Sequence, residues 1–76
     1  MRTGWSEEVR GYSWSFGVHD RRTSLYCWIH KAGGYTMEIR DSNTSDTIVH
    51  EQFRTLEEAQ ERGEIMFALE RPYYLR

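Results

Sequence analysis

The chain of 76 residues has one cysteine, Cys27, and one proline, Pro72. A single thiol excludes any disulfide within the monomer, and an unpaired cysteine suits a reducing compartment better than secretion. One proline, so near the end, leaves no Pro-rich linker and places no helix breaker before residue 72. Long apolar runs are also missing, so the sequence offers no bilayer-spanning segment. The first ten residues lack the apolar run of a signal peptide, and the expected location is cytoplasmic. Charge of one sign is not in excess, at a net −2. That balance opposes general nucleic-acid binding, which needs a basic surface to displace counterions.

Aromatic mass is abundant: three Trp, five Tyr and three Phe. Aromatic side chains bury more area per residue than others, which helps a short chain build a core with few layers. The acids are gathered locally. Residues 55–70 hold Glu57, Glu58, Glu61, Glu64 and Glu70 against Arg62, whereas residues 9–54 are close to neutral.

Three runs read as strands. In residues 12–18, Tyr12, Trp14, Phe16 and Val18 alternate with Ser13, Ser15 and Gly17. Period-two alternation with one apolar face marks a half-buried strand. Residues 25–30 are apolar on both faces, Leu25, Cys27 and Ile29 against Tyr26, Trp28 and His30. In residues 35–40, Tyr35, Met37 and Ile39 oppose Thr36, Glu38 and Arg40. A fourth run, 47–53, leaves either Val49 with Phe53 or Ile48 as its inward set. Ala32-Gly33-Gly34 fits a three-residue hairpin loop with Gly34 in the left-handed region. Thr55-Leu56-Glu57-Glu58 reads as a capping box that opens a helix over residues 55–71. At 100° per residue, Leu56, Ala59, Gly63, Met66 and Phe67 form its core stripe. The expected architecture is a single α+β domain over residues 1–76. A three- to four-stranded antiparallel meander (9–53) packs on one C-terminal helix, with a tail at 72–76.

Strand phases sharpen this. If Val18 pairs with Leu25, then Phe16 faces Cys27 and Trp14 faces Ile29; closing the next hairpin at Lys31 and Tyr35 sets Met37 against Ile29 and Ile39 against Cys27. Both hairpins agree on one inward face. One helix covers one face, so Tyr26, Trp28, His30, Glu38 and Arg40 fall on the other. These rings either lie flat over Ser13, Ser15 and Gly17 or under an N-terminal segment with Trp5, or they form an open platform of interface composition. Ile65 and Leu69, with Ala68, lie outside the core stripe of the helix. Either the tail Tyr73-Tyr74-Leu75 folds back over them, or they meet a partner or a second copy.

Constellations for chemistry are weak. His19, His30, His50 and Cys27 share no metal-ligand spacing, and Cys27 falls among inward residues, so neither metal, cofactor nor catalytic residue is expected. The reading is a non-enzymatic protein-binding module, with Tyr26, Trp28, His30, Glu38, Arg40, Ile65 and Leu69 as its contact residues. The alternative is nucleic-acid binding on the open face through Arg21, Arg22, Lys31 and Arg40 near the exposed rings. A compact meander backed by an acidic helix, with surplus apolar surface, is similar to small phage-encoded inhibitors, anti-CRISPR proteins among them. The likeness is one of architecture and size. It implies a protein that occludes a partner's surface.

Overall fold

The computed structural model describes residues 4–11, 13–20 and 22–75, with the side chains of Arg10 and Ser13 left aside. Tyr12 and Arg21, singled out above, lie outside the described residues. Five strands form one antiparallel sheet in chain order: β1 (Ser6–Arg10), β2 (Ser13–Asp20), β3 (Leu25–Lys31), β4 (Tyr35–Asp41) and β5 (Thr47–Phe53). The helix α1 (Leu56–Glu70) follows, then a 3-10 turn, Arg71–Tyr73. The α+β meander with one C-terminal helix stands, but the strand count is five rather than three to four.

The added strand is β1. Its sequence, Ser-Glu-Glu-Val-Arg, has one apolar residue and no alternation, so nothing local marks it. Tertiary contacts make it a strand. Trp5, just before it, is buried and stacks on Phe16 at 6.0 Å between ring centroids, and its indole N–H donates to Glu64 Oε2 of the helix at 3.0 Å. Glu7 accepts from the Trp14 indole N–H, also at 3.0 Å. An aromatic anchor and a side-chain acceptor thus offset poor strand propensity.

The second correction is register. Val18 pairs with Cys27, Phe16 with Ile29 and Gly17 with Trp28, two residues away from the expected pairing. His19 and Asp20 extend β2 beyond the expected end at residue 18, because the connection is short: Ser24 takes φ +63 and its N–H donates to Asp20 O at 3.1 Å. A shift of two preserves side-chain parity, so the inward set is unchanged. The β3–β4 register matches the expected one, with Met37 on Ile29, Ile39 on Cys27 and Lys31 on Tyr35. Gly33 and Gly34, at φ +67 and +136, make that hairpin turn.

In β5, Arg40 pairs with Thr47 while Ile39 pairs with Val49. Ile48 is the extra residue of a bulge, which is why its alternation is ambiguous. Both Ile48 and Val49 pack on the core.

The core comprises Phe16, Cys27, Ile29, Met37, Ile39 and Val49, with Trp5 and Ala59, and Trp14, Leu56, Met66 and Phe67 pack around it. The helix lies mainly over β4, with β3 and β5 on either side. Thr55 caps it, its hydroxyl accepting from the Glu58 N–H at 3.2 Å and donating to the Glu58 carboxylate at 3.2 Å. Gly63 brings the helix backbone onto the sheet: a Cβ there would stand 2.9 Å from Cys27 Sγ. Arg62 ties the helix to Glu51 of β5 at 3.4 Å. Arg71 pairs with Asp20 at the far end, 2.6 Å apart.

Candidate functional site

One sheet face packs on the helix; the outer face is the other. Among the described residues nothing lies over it. Residues 5–10 do not fold across it, since β1 extends the sheet sideways and Trp5 turns to the helix side. Strand alternation puts Ser6 and Glu8 of β1, Ser15, Gly17 and His19 of β2, and Tyr26, Trp28 and His30 of β3 on the outer face. Thr36, Glu38 and Arg40 of β4 share it with their β5 partners Gln52, His50 and Thr47.

Trp28 stands at the centre, 43 % exposed. Its cross-strand neighbours are Gly17 and Glu38, and His30 meets it edge-on at 6.2 Å. Tyr26 meets His19 in the same way at 6.4 Å. Small side chains on β1 and β2 beside large rings on β3 create relief. The result is an open groove of about 780 Å³ whose lining includes Ser6, Ser15, Gly17, His19, Tyr26 and Trp28. Gly17 contributes by omission, and its backbone is not in the left-handed region. A Cβ there would meet only Cys27 O, at 3.4 Å.

On the other side of Trp28 the face is polar. Glu38, with 17 % of its side chain exposed, sits between Arg40 Nε at 3.7 Å and His50 Nε2 at 3.5 Å. Thr36 beside it is buried. The groove half is therefore aromatic and small-residue, and the β4–β5 half is an ion-paired rim.

Of the residues of the nucleic-acid alternative, the three that are described, Arg22, Lys31 and Arg40, are not gathered. Arg40 is on the outer face but tied to Glu38. Arg22 is in the β2–β3 loop, where its backbone N–H donates to Asp20. Lys31 shares the parity of Cys27 and Ile29, toward the helix side, with its Nζ 6.0 Å from the Tyr35 ring centre.

The only thiol is chemically quiet. Burial, with Glu64's negative charge as a smaller cause, pushes Cys27 up to about 12, so it stays protonated at neutral pH. No cluster of three or more His, Cys, Asp or Glu suited to a metal occurs among the described residues.

A second surface lies on the helix. Ile65 is 46 % and Leu69 60 % exposed. The tail does not cover them: Tyr73 and Leu75 are themselves exposed. Among the described residues no helix is long and apolar enough to cross a membrane.

Sequence reasoning identified Tyr26, Trp28, His30, Glu38 and Arg40 as sharing a face. It missed Ser6 and Glu8, because β1 carries no strand signal, and His50, because the bulge obscured its phase. No protein-family model, curated protein or solved structure matches the chain.

Proposed function

We propose that this chain is a non-enzymatic binding module that docks a protein partner on the outer sheet face, with Trp28 as the anchor. One observation carries the reading: a half-exposed tryptophan at the centre of an uncovered face, beside a groove floored by Ser15 and Gly17. Aromatic anchors ringed by polar groups are the residues on which protein interfaces concentrate their binding energy. Glu38, Arg40 and His50 supply that polar rim, and partly exposed charges of this kind govern orientation more than affinity. The module acts by occupying its partner's surface, as a small inhibitor does. A protein suits the face better than a nucleic acid, because Glu38 lies in mid-face and the one described outer-face guanidinium is paired to it.

The test is an unbiased displayed-peptide selection on the full chain, followed by affinity measurement on Trp28→Ala. Enriched peptides should lose on the order of 30-fold in affinity, the equivalent of a hot-spot residue, while the melting temperature changes little. Peptides that bind Trp28→Ala as well as the parent would count against this face. So would an unfolded Trp28→Ala variant, since that would make the ring part of the core.

A further inference from the structure

Helix α1 presents an exposed ridge distinct from the outer face. Glu57, Glu61, Ile65 and Leu69 follow one another at four-residue spacing, and all four are exposed. Residues so spaced form the i±4 ridge by which helices pack on one another. The ridge is polarised. Its first half is acidic, and Glu57 and Glu61 have no ion-pair or hydrogen-bond partner among the described residues. Its second half is apolar, with Ile65 46 % and Leu69 60 % exposed, and Tyr73 beyond them is 82 % exposed. Arg62 does not neutralise the ridge, because it is drawn aside to Glu51 of β5.

We propose that this ridge docks an amphipathic helix of a partner protein. That helix lies antiparallel to α1, with apolar residues in its first turns and Lys or Arg in its last turns. Charge complementarity sets the composition: the acidic half of the ridge needs cations, and the apolar half needs aliphatic side chains. The helix dipole sets the direction. In the antiparallel arrangement the partner's basic residues fall at its own C-terminus, where cations are favoured; a parallel helix would hold them at its N-terminus, where they are not. A second copy of this chain satisfies only half of the ridge. Antiparallel about the midpoint of Ile65 and Leu69, it would pair those two side chains but set Tyr73, not a cation, opposite Glu61, and parallel it would stack acid on acid.

The experiment uses the full chain and two synthetic helical peptides of identical composition. Each is about 15 residues, enough at ~1.5 Å per residue to run the ~18 Å from Glu57 to Leu69. One has an aliphatic seam followed by lysines in its last two turns; the other has the lysines in its first two turns. Labelled-peptide anisotropy should show the C-terminal-lysine peptide binding tighter, on the order of fivefold at low salt. Its binding should shift the Ile65 and Leu69 methyl resonances. The Glu57→Lys/Glu61→Lys double variant should weaken both peptides, since each then sets its lysines against lysines, and Ile65→Ser/Leu69→Ser should abolish binding. Trp28→Ala should leave it intact, which separates this surface from the outer face. Equal affinity for the two peptides overturns the proposal, as does an absence of binding by either at millimolar concentration. A solution mass twice the 9.1 kDa of the chain, with the same methyls shifted, overturns it in favour of self-association.

Discussion

Replacing Gly63 with alanine tests how the helix is seated. In an open helix the change would stabilise by about 1 kcal/mol, because alanine loses less backbone freedom than glycine. Here the new Cβ would lie 2.9 Å from Cys27 Sγ, 3.4 Å from Met37 Cγ and 3.5 Å from Trp5 Cη2. Met37 and Trp5 are at tolerable distances. Cys27 is not, for its Cβ is fixed to a central strand, the residue is 1 % exposed, and rotation about χ1 is its only escape. Overpacking of a filled core costs about 1–3 kcal/mol, more than the propensity gain. Gly63→Ala should therefore be net destabilising by about 0–2 kcal/mol. Cys27→Ala alone deletes one buried sulfur and should cost about 1 kcal/mol, in the range of single-atom core deletions. Combined, the second change removes the atom that the first collides with, and the double variant should regain roughly the parent's stability. Urea unfolding followed by tryptophan fluorescence gives all four corners of the cycle. A coupling of at least about 1 kcal/mol is expected. Additivity within ~0.5 kcal/mol, or a stabilised Gly63→Ala single variant, would refute the close helix–sheet approach.

Asp20 supplies a pH-dependent prediction. The Arg22 backbone N–H, the neighbouring Arg71 cation and the Thr23 and Arg71 side chains hold its carboxyl below the usual aspartate range, against an opposing effect of burial. A depressed folded value means stability that is present above the unfolded value of about 3.9 and is lost as pH falls through the folded one. Asp20→Asn should melt below the parent at pH 7, and the two melting curves should converge as pH falls through the depressed folded value; a gap that persists undiminished at low pH would refute the assignment. The thiol gives another. With its ionisation pushed up to about 12 and its atoms buried, Cys27 should react with a disulfide reagent at pH 8 only as fast as the domain opens. A native-state rate near that of a small-molecule thiol would contradict its placement.

How much of this was legible in the sequence depends on which interactions write local patterns. Parity does: a strand with one buried face must alternate, so Phe16, Cys27, Ile29, Met37 and Ile39 were readable as one set, and Tyr26, Trp28, His30, Glu38 and Arg40 as another. The capping box did too, since Thr55 and Glu58 interact across three residues. Register is not written that way. Moving β2 by two residues against β3 changes no residue's face, so alternation cannot choose; the Ser24 turn with positive φ chooses, and serine there gives no warning. β1 was invisible for a different reason. Its strand state depends on Trp5 and Glu7 meeting Phe16, Glu64 and Trp14, partners up to 59 positions away. Its omission left the groove beside Trp28 incomplete, because Ser6 and Glu8 line it.

That groove bears on whether Trp28 is a binding anchor or merely a ring left outside. A fully exposed tryptophan offers ~250 Å², so at 43 % exposure about 100 Å² remains in water. At ~25 cal/mol per Å², covering it would return about 2.5 kcal/mol. The fold has two internal ways to capture that gain: draw a polypeptide segment across the face, or lay the ring onto its neighbours. Of the described residues before β2, Ser6–Arg10 are spent widening the sheet, and Trp5 is directed to the helix. Gly17 and Ser15 lie beside Trp28 and His30, yet the ring still stands half clear of them. Gly17→Ala would narrow the groove against only an ordinary contact at 3.4 Å, so the sheet does not require the gap. A gap that the packing does not need, next to a ring that the packing does not cover, is what a partner's side chain would fill. The 2.5 kcal/mol left unrealised is a gross gain from which the costs of association are subtracted, and it is of the same order as the roughly 2 kcal/mol that marks an interface hot spot.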